Sequence, residues 1–376
     1  MNKNYRVGAF YFPNYHIDRQ NERRHGKGWN EWNVLKYATP RFEGHQQPKV
    51  PAWGYEDEAD PEVMAKKIDA AADNGVDTFM FDWYYYDSGP YLEKCLEQGF
   101  LKAKNADKMN FSLMWANHDW CNMHPKGLTN PGEIHESGRI KRDTFMKAAN
   151  HMIENYFCHP SYLRVEGGLF LTIYELAGLI NTFGSIERTK QGLSDLRNMV
   201  RDAGLGELHL NAVVWSNTVL PAEQKIENFA GIVQELGFDS ATSYVWVHVH
   251  EMSNFPATSY AMYRDECIEK FKGVAADYKI PYIPNVTVGW DPSPRTVQSD
   301  KYEDAGYPFT PVLVDNTPDE FEIALQKVKD YIDKHDVPKI VTINAWNEWT
   351  EGSYLEPDTV YGMEYLKRVK KVFGDK

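Results

Sequence analysis

Ile340-Val341-Thr342-Ile343-Asn344-Ala345-Trp346-Asn347-Glu348-Trp349-Thr350-Glu351-Gly352-Ser353-Tyr354-Leu355-Glu356-Pro357 is the stretch that decides how this chain is read. It opens as a β-branched run, the composition of a strand buried on both faces in a parallel sheet. Its second half has no use inside a strand: two carboxylates three residues apart, Glu348 and Glu351, set among Trp346, Trp349, Asn344, Asn347 and Gly352. A polar turn leading into a helix would account for one Glu. Two Glu flanked by Trp at a strand terminus read instead as a site that needs acid, base and hydrogen-bonding groups.

Working outward, the same strand-then-loop-then-helix unit recurs upstream. Tyr5 to Phe12 is an apolar run stopped by Pro13, hence a first strand. A long, Trp-rich polar connection runs on from Asn14 to Asp60, and loops of that length inside a domain are usually functional. Asp60-Pro61-Glu62 then starts a helix, with Asp as N-cap and Pro at the first helical position, and Gly75 ends it. Further strands are expected at Val76–Trp83, Phe111–Ala116, Leu169–Tyr174, Leu208–Trp215, Phe238–Tyr244, Pro281–Val288 and Lys339–Ala345. Helices are expected at Tyr91–Asn105, Lys141–Phe157, Ile186–Asp202, Ala222–Phe229, Tyr260–Tyr278, Pro318–Lys334 and Tyr361–Val372, with Tyr84-Tyr85-Tyr86 on a loop rim. Eight such units predict a parallel sheet closed into a (β/α)8 TIM-type barrel, with residues 1–376 forming a single catalytic domain. An open doubly wound sheet is the rival, but no Gly-rich phosphate loop comes after the first strand.

Composition narrows the ligand. The 376 residues are 42% hydrophobic and 25% charged, a globular balance, and the formal net charge of -13 excludes nucleic acid and anionic membrane surfaces as natural partners. Aromatics reach 14%, with 11 Trp and 23 Tyr, the side chains that stack on sugar rings and bond their hydroxyls. The four Cys have neither disulfide-framework nor metal-type spacing. No apolar stretch is long enough to span a bilayer and no leader pattern opens the chain, so it reads as cytoplasmic as it stands, or periplasmic or secreted if a leader has been removed.

On a barrel of this kind the site lies at the C-terminal ends of the strands. Residues there are Tyr11, Asn14, Tyr15 and His16; Asp82, Trp83 and Tyr84; Trp115, Asn117, His118 and Asp119; Tyr174 and Glu175; Trp215; Tyr244 and Trp246; Trp290 and Asp291; then Glu348 and Glu351. Aromatics paired with carboxylates or amides at nearly every strand end make a sugar site the natural reading. His248-x-His250 would put two imidazoles on one face if extended, with His16 and His118 near, and could hold a divalent metal. No HExxH or helical His pair accompanies it, so no metal and no cofactor are expected. No GxSxG elbow supports acyl transfer.

These residues also carry a resemblance. Gly8-Ala9-Phe10-Tyr11-Phe12-Pro13, Gly26-Lys27-Gly28-Trp29-Asn30-Glu31-Trp32, Gly44-His45-Gln46-Gln47-Pro48, Asp60-Pro61-Glu62-Val63-Met64, Trp115-Ala116-Asn117 and Asn347-Glu348-Trp349-x-Glu351-Gly352-x-x-Leu355-Glu356-Pro357-Asp358 span nearly the whole chain. Together they resemble the glycoside hydrolase family 99-like barrels, and most closely the WbsX-like group often labelled as glycosyltransferases. One position departs: the group usually has an acidic residue after Trp-Ala-Asn, where this chain has His118 and then Asp119. The resemblance implies a retaining glycosidase in which Glu348 assists the sugar's own 2-hydroxyl as nucleophile and Glu351 is the acid/base, acting on a 1,2-trans glycoside of the α-mannoside or α-L-rhamnoside type. Substrate contacts are expected from Tyr11, Tyr15, His16, Lys27, Trp29, Glu31, Trp32, His45, Gln46, Asp82, Trp83, Trp115, Asn117, His118, Tyr244, Trp246, Asn347 and Trp349. The expected partner is an oligosaccharide or polysaccharide. The alternatives are a glycosyltransferase or transglycosylase of surface polysaccharide synthesis, and a non-catalytic carbohydrate-binding barrel.

Overall fold

The computed structural model describes residues 5–130, 132–221 and 223–374. Among them one parallel sheet runs through β1 (Arg6–Tyr11), β2 (Thr78–Tyr86), β3 (Asn110–Trp115), β4 (Gly168–Ile173), β5 (Leu208–Val213), β6 (Ser240–Thr242), β7 and β8 (Ile340–Asn344). β7 is broken at Pro284. Tyr282–Ile283 pairs with β6 and Asn285–Thr287 pairs with β8, so nine parallel segments trace eight crossings and the ring comes round on itself. Proline has no N–H for the ladder, yet its carbonyl still accepts from Thr342 N at 3.0 Å. The architecture is the TIM-type barrel that the alternation predicts.

Local chemistry sets the element ends where sequence signals are strong. Asp60 accepts from Glu62 N at 2.8 Å with Pro61 at the first position of helix Pro61–Asp73. Helices Tyr260–Asp277 and Pro318–Lys334 fall where expected, as does Ile186–Asp202, which is preceded by an additional helix, Leu176–Phe183. Other expectations need correction. Tyr91–Asn105 is a chain of short turns, a π-helical turn at Cys95–Gly99 followed by 3-10 turns. The helix expected from Ala222 starts on a residue outside the described ones, and the helix present there is Phe229–Leu236. Tyr84–Tyr86 are not a loop rim, because β2 continues through them into a hairpin with Gly89–Tyr91.

Inside the ring, one layer is built of short polar side chains. Asn211 donates to Thr172 (3.1 Å), Ser240 to Asn211 (2.8 Å) and Asn285 to Thr342 (3.1 Å), while Thr242 meets Thr342 across the closing seam at 3.3 Å. This interior differs from the branched apolar layers usual for the fold. Strand alternation sends every second residue to the opposite side, and that parity decides which strand-end residues reach the mouth.

Candidate active site

The segment after β8 is clamped before it can act. Asn347 donates to Phe12 O and accepts from Phe12 N, both at 2.8 Å, extending the β1–β8 seam by one side-chain ladder step. Beneath it lies a buried charged knot: Lys67 reaches Glu58 and Glu356 at 2.6 Å each, with its pKa raised, against the effect of burial, by both carboxylates. Glu356 in turn accepts from the indole N–H groups of Trp346 (2.9 Å) and Trp349 (2.6 Å). Trp349 also stacks on Tyr354 at 3.7 Å. Gly352 has φ +65°, and a Cβ there would meet the Cβ of Asp291 at 2.7 Å, so glycine is what lets the chain turn past β7. Trp349→Phe leaves the buried Glu356 short of one donor; we expect a loss of about 1.5–3 kcal/mol in urea unfolding, and an unchanged midpoint would refute the support role.

On this base Glu348 and Glu351 face one guanidinium. Arg295 Nη2 lies 3.2 Å from Glu348, Nη1 donates to Glu351, and Nε lies 3.3 Å from Glu31 and 3.0 Å from Thr350 Oγ1. Tyr307 donates to Glu351 at 2.6 Å. On the other side Tyr244 OH is 3.1 Å from Glu348 and 3.0 Å from Asp82. Burial and the charge of Glu351 push the Glu348 carboxyl well above its ordinary range, with Arg295 opposing. Burial likewise pushes Asp82 well up, against its bond from Tyr244, and its second oxygen has no protein partner. The cleft continues past Phe12, Tyr84, His118, Trp120, Tyr174 and Trp290.

Sequence reading missed Arg295. It sits on a 3-10 turn, Ser293–Arg295, that Asp291 organises by accepting from Ser293 N (3.2 Å) and Oγ (2.6 Å). The only local signal is the Asp291-Pro292-Ser293-Pro294 run, which is turn chemistry. Asp291 is tied to the first loop by His45 Nε2 at 2.8 Å and Gln47 Nε2 at 2.6 Å; burial pushes its pKa up, but the His45 contact outweighs this and holds it at about 2. His45 therefore positions the turn rather than facing the cleft. Gln46 is exposed and lies apart from the carboxylates, the inward role belonging to Gln47. Lys27 is exposed.

The other expected contacts divide by parity. Asp82, His118, Tyr244, Glu348 and Glu351 come together in the cleft, and Glu31 backs Arg295 while accepting from Asn14 (2.9 Å) and Thr350 (2.8 Å). Trp83 and Trp115 occupy the opposite parity and point into the helix layer, where Trp83 bonds Glu93 (3.3 Å) and Trp115 stacks on Phe145 (5.4 Å); Trp246, on the 3-10 turn beyond β6, is drawn away from the cleft by its bond to Asn285 O (3.1 Å). Tyr11 turns outward to Glu58 at 2.9 Å, and Asn117 caps the Glu175 backbone at 2.6 and 2.8 Å. Tyr15 packs on Trp32 at 4.0 Å and accepts from Trp349 N at 3.1 Å, while Trp32 bonds Glu56 O at 2.8 Å; both are packing. His16 is buried, which lowers its pKa to about 3. Trp29 stacks on His25 at 4.2 Å, outside the carboxylate cluster.

The paired imidazoles do not form. Trp246–His248 is a 3-10 turn, so His248 goes inward to Glu223 (3.2 Å) and His250 outward to Glu266 (3.6 Å). Among the described residues Glu93, Glu97 and His151 bring three ligand-type atoms within 4.8 Å. That cluster lies on the outer side of β2, where Tyr156 donates to both Glu and His151 meets Glu93 at 2.7 Å.

The model of the family described as "Glycosyltransferase WbsX" matches residues 7–369. The chain belongs to the WbsX family. A WbsX-family chain with this barrel also has relatives among curated sequences: "Uncharacterized protein WxcX" of Xanthomonas campestris pv. campestris is 27% identical over 379 residues, covering 96% of this chain. The chain spans 49% of that relative's length. Among solved structures it is similar to the GH99 endo-alpha-mannosidase from Bacteroides thetaiotaomicron at 15% identity, over 97% of this chain and 95% of that one, with a TM-score of 0.58. A "Glycoside hydrolase-like protein" aligns at 15% identity over 100% and 95%, TM-score 0.62. A Thermotoga maritima β-glucosidase aligns at 11% over 100% and 99%, TM-score 0.52. At these identities the likeness is one of fold. No helix among the described residues is long and apolar enough to cross a membrane.

Proposed function

We propose that this WbsX-family barrel is one catalytic unit that hydrolyses a 1,2-trans glycosidic bond, of the α-mannoside or α-L-rhamnoside type. The observation that carries the reading is the single buried guanidinium of Arg295 shared by Glu348 and Glu351, with Asp82 and Tyr244 on the far side. Glu348, as base, takes the proton of the sugar's 2-hydroxyl while that oxygen attacks C1 and Glu351 protonates the leaving oxygen. Glu351 then activates water to open the 1,2-anhydro sugar. Holding the weak hydroxyl within its own ring supplies the effective concentration that makes it competent. O2 and the leaving group must be trans, and the product keeps the substrate's anomeric configuration.

The cleft's charge favours this over transfer from a nucleotide sugar. Asp82, Asp119, Glu348 and Glu351 line it, and Arg295 is already paired with three carboxylates, an arrangement that repels a diphosphate. The solved neighbours include a mannosidase and glucosidases, which supports sugar chemistry on this fold.

The pH dependence rests on Glu348. A base must be ionised, and its carboxyl is raised by burial and by Glu351, so the ascending limb of kcat/KM should lie above the ordinary Glu value of about 4.3. A limb at or below that value would remove Glu348 from the base role. NMR of the nascent anomer during hydrolysis of α-mannan and α-L-rhamnan oligosaccharides tests the chemistry. Retention is expected, and a 2-deoxy substrate should fail to turn over. Net inversion would end the anhydro route and make Glu348 a base for water.

A further inference from the structure

Beside the cleft, on its first-loop side, lies a second, shallow depression of about 290 Å³, at the lower edge of the roughly 300–1,000 Å³ usual for ligand clefts. His124 lines both cavities. From the cleft, Trp120 stacks on His124 at 5.6 Å and 15°, His124 meets the edge of Trp29 at 6.1 Å and 73°, and Trp29 is a wall of the outer depression. Tyr37, which also lines it, is 76% exposed, more than any other large apolar side chain among the described residues. Asn33 on the helix Trp32–Lys36 lends a side-chain amide that has no protein partner among the described residues, and Gln298 is fixed against Thr39 N at 2.9 Å.

We propose that this depression is an outer sugar subsite, which takes the further units of a glycan whose scissile bond lies at Glu348 and Glu351. Continuity and chemistry identify the occupant. The packed row Trp120, His124 and Trp29 forms a wall shared by the cleft and the depression, the exposed Tyr37 offers a ring face to C–H surface, and the free amide of Asn33 suits a hydroxyl. His124 is neutral, its pKa lowered far by burial and by Arg295, so the passage presents no positive charge of its own. The substrate is thus a chain of several units. This inference rests on the glycosidase reading above.

The test separates the two. Tyr37→Ala and Asn33→Ala change surface positions and leave the carboxylate cluster intact. With α-mannan and α-L-rhamnan oligosaccharides of two and six units, each variant should raise KM for the hexamer about fivefold while kcat, and both constants for the dimer, stay within twofold. Equal effects on both lengths, or none on the hexamer, overturn the subsite. Hexamer binding to Glu351→Gln, measured by calorimetry with and without Tyr37→Ala, is the second readout. Binding weakened by Tyr37→Ala, when the wild-type protein hydrolyses neither length, supports the subsite and sinks the glycosidase. Hexamer binding untouched by Tyr37→Ala, or no hexamer binding at all, sinks the subsite whatever the turnover.

Discussion

Glu351→Gln and Glu348→Gln should each lower turnover of a 1,2-trans glycoside by about 10²-fold or more, the scale on which positioned acid–base groups act. Neither change should unfold the barrel. The Glu348 carboxyl is held up by burial and by the neighbouring Glu351, so its charged form is disfavoured in the fold and a neutral amide of the same shape removes repulsion. Arg295 keeps Glu31 and one of the pair in either variant. The measurement is kcat on the hydrolysed oligosaccharide, with circular dichroism and thermal melting as controls. Unchanged turnover by a folded Glu351→Gln protein would remove Glu351 from the acid/base role, and sugar binding without any turnover by the wild-type protein would reduce the barrel to a carbohydrate-binding module, because stacking platforms bind sugar without an acid.

The second large effect is on stability. Arg295→Met leaves Glu31, Glu348 and Glu351 buried without their cation, and breaking a buried pair by removing one partner costs about 3–5 kcal/mol. The loss should depend on pH with a definite sign. Burial already raises the carboxyls of Glu31 and Glu348 while Arg295 pulls both down, so removing Arg295 raises them further. A carboxyl whose folded value exceeds its unfolded value binds protons preferentially in the fold. Stability then falls as pH rises from the unfolded value, about 4.3, through the raised folded one. The deficit of Arg295→Met against wild type should therefore be small near the acid end of that window and grow as pH rises. Urea unfolding at several pH values reads it directly. A deficit that grows on acidification would show that Arg295 does not favour the charged forms of Glu31 and Glu348.

Which contacts hold the site divides by range in the chain. The pair Glu348 and Glu351, the mouth as their location, and Asp82, His118 and Tyr244 as neighbours are all strand-end residues. A βα unit is encoded within some thirty residues, so its strand end can be found from composition and periodicity alone. Trp83, Trp115 and Trp246 are expected in the cleft because each lies at or just beyond a strand end, but alternation sends Trp83 and Trp115 to the helix layer and a 3-10 turn carries Trp246 away. Parity is present in the sequence; which parity faces inward depends on the register of pairing around a closed ring, such as Gly8 opposite Thr78 and Thr342.

Aromatic and polar residues of the first loop read as substrate contacts by type. Type does not distinguish a sugar platform from a prop, and Tyr15 on Trp32, or His45 on Asp291, shows the prop. Arg295 has no signature at all. It is 53 residues from Glu348 and 264 from Glu31, on a turn whose residues announce only a turn. By itself the sequence determined the eight-unit barrel, the strand ends where the cleft opens and the two carboxylates that line it, because helix caps, strand composition and alternation act over short range. Only the tertiary structure decided which side chains face the cleft and which cation holds the carboxylates together, because ring closure and the packing of loops from β1, β7 and β8 join residues with no local relation.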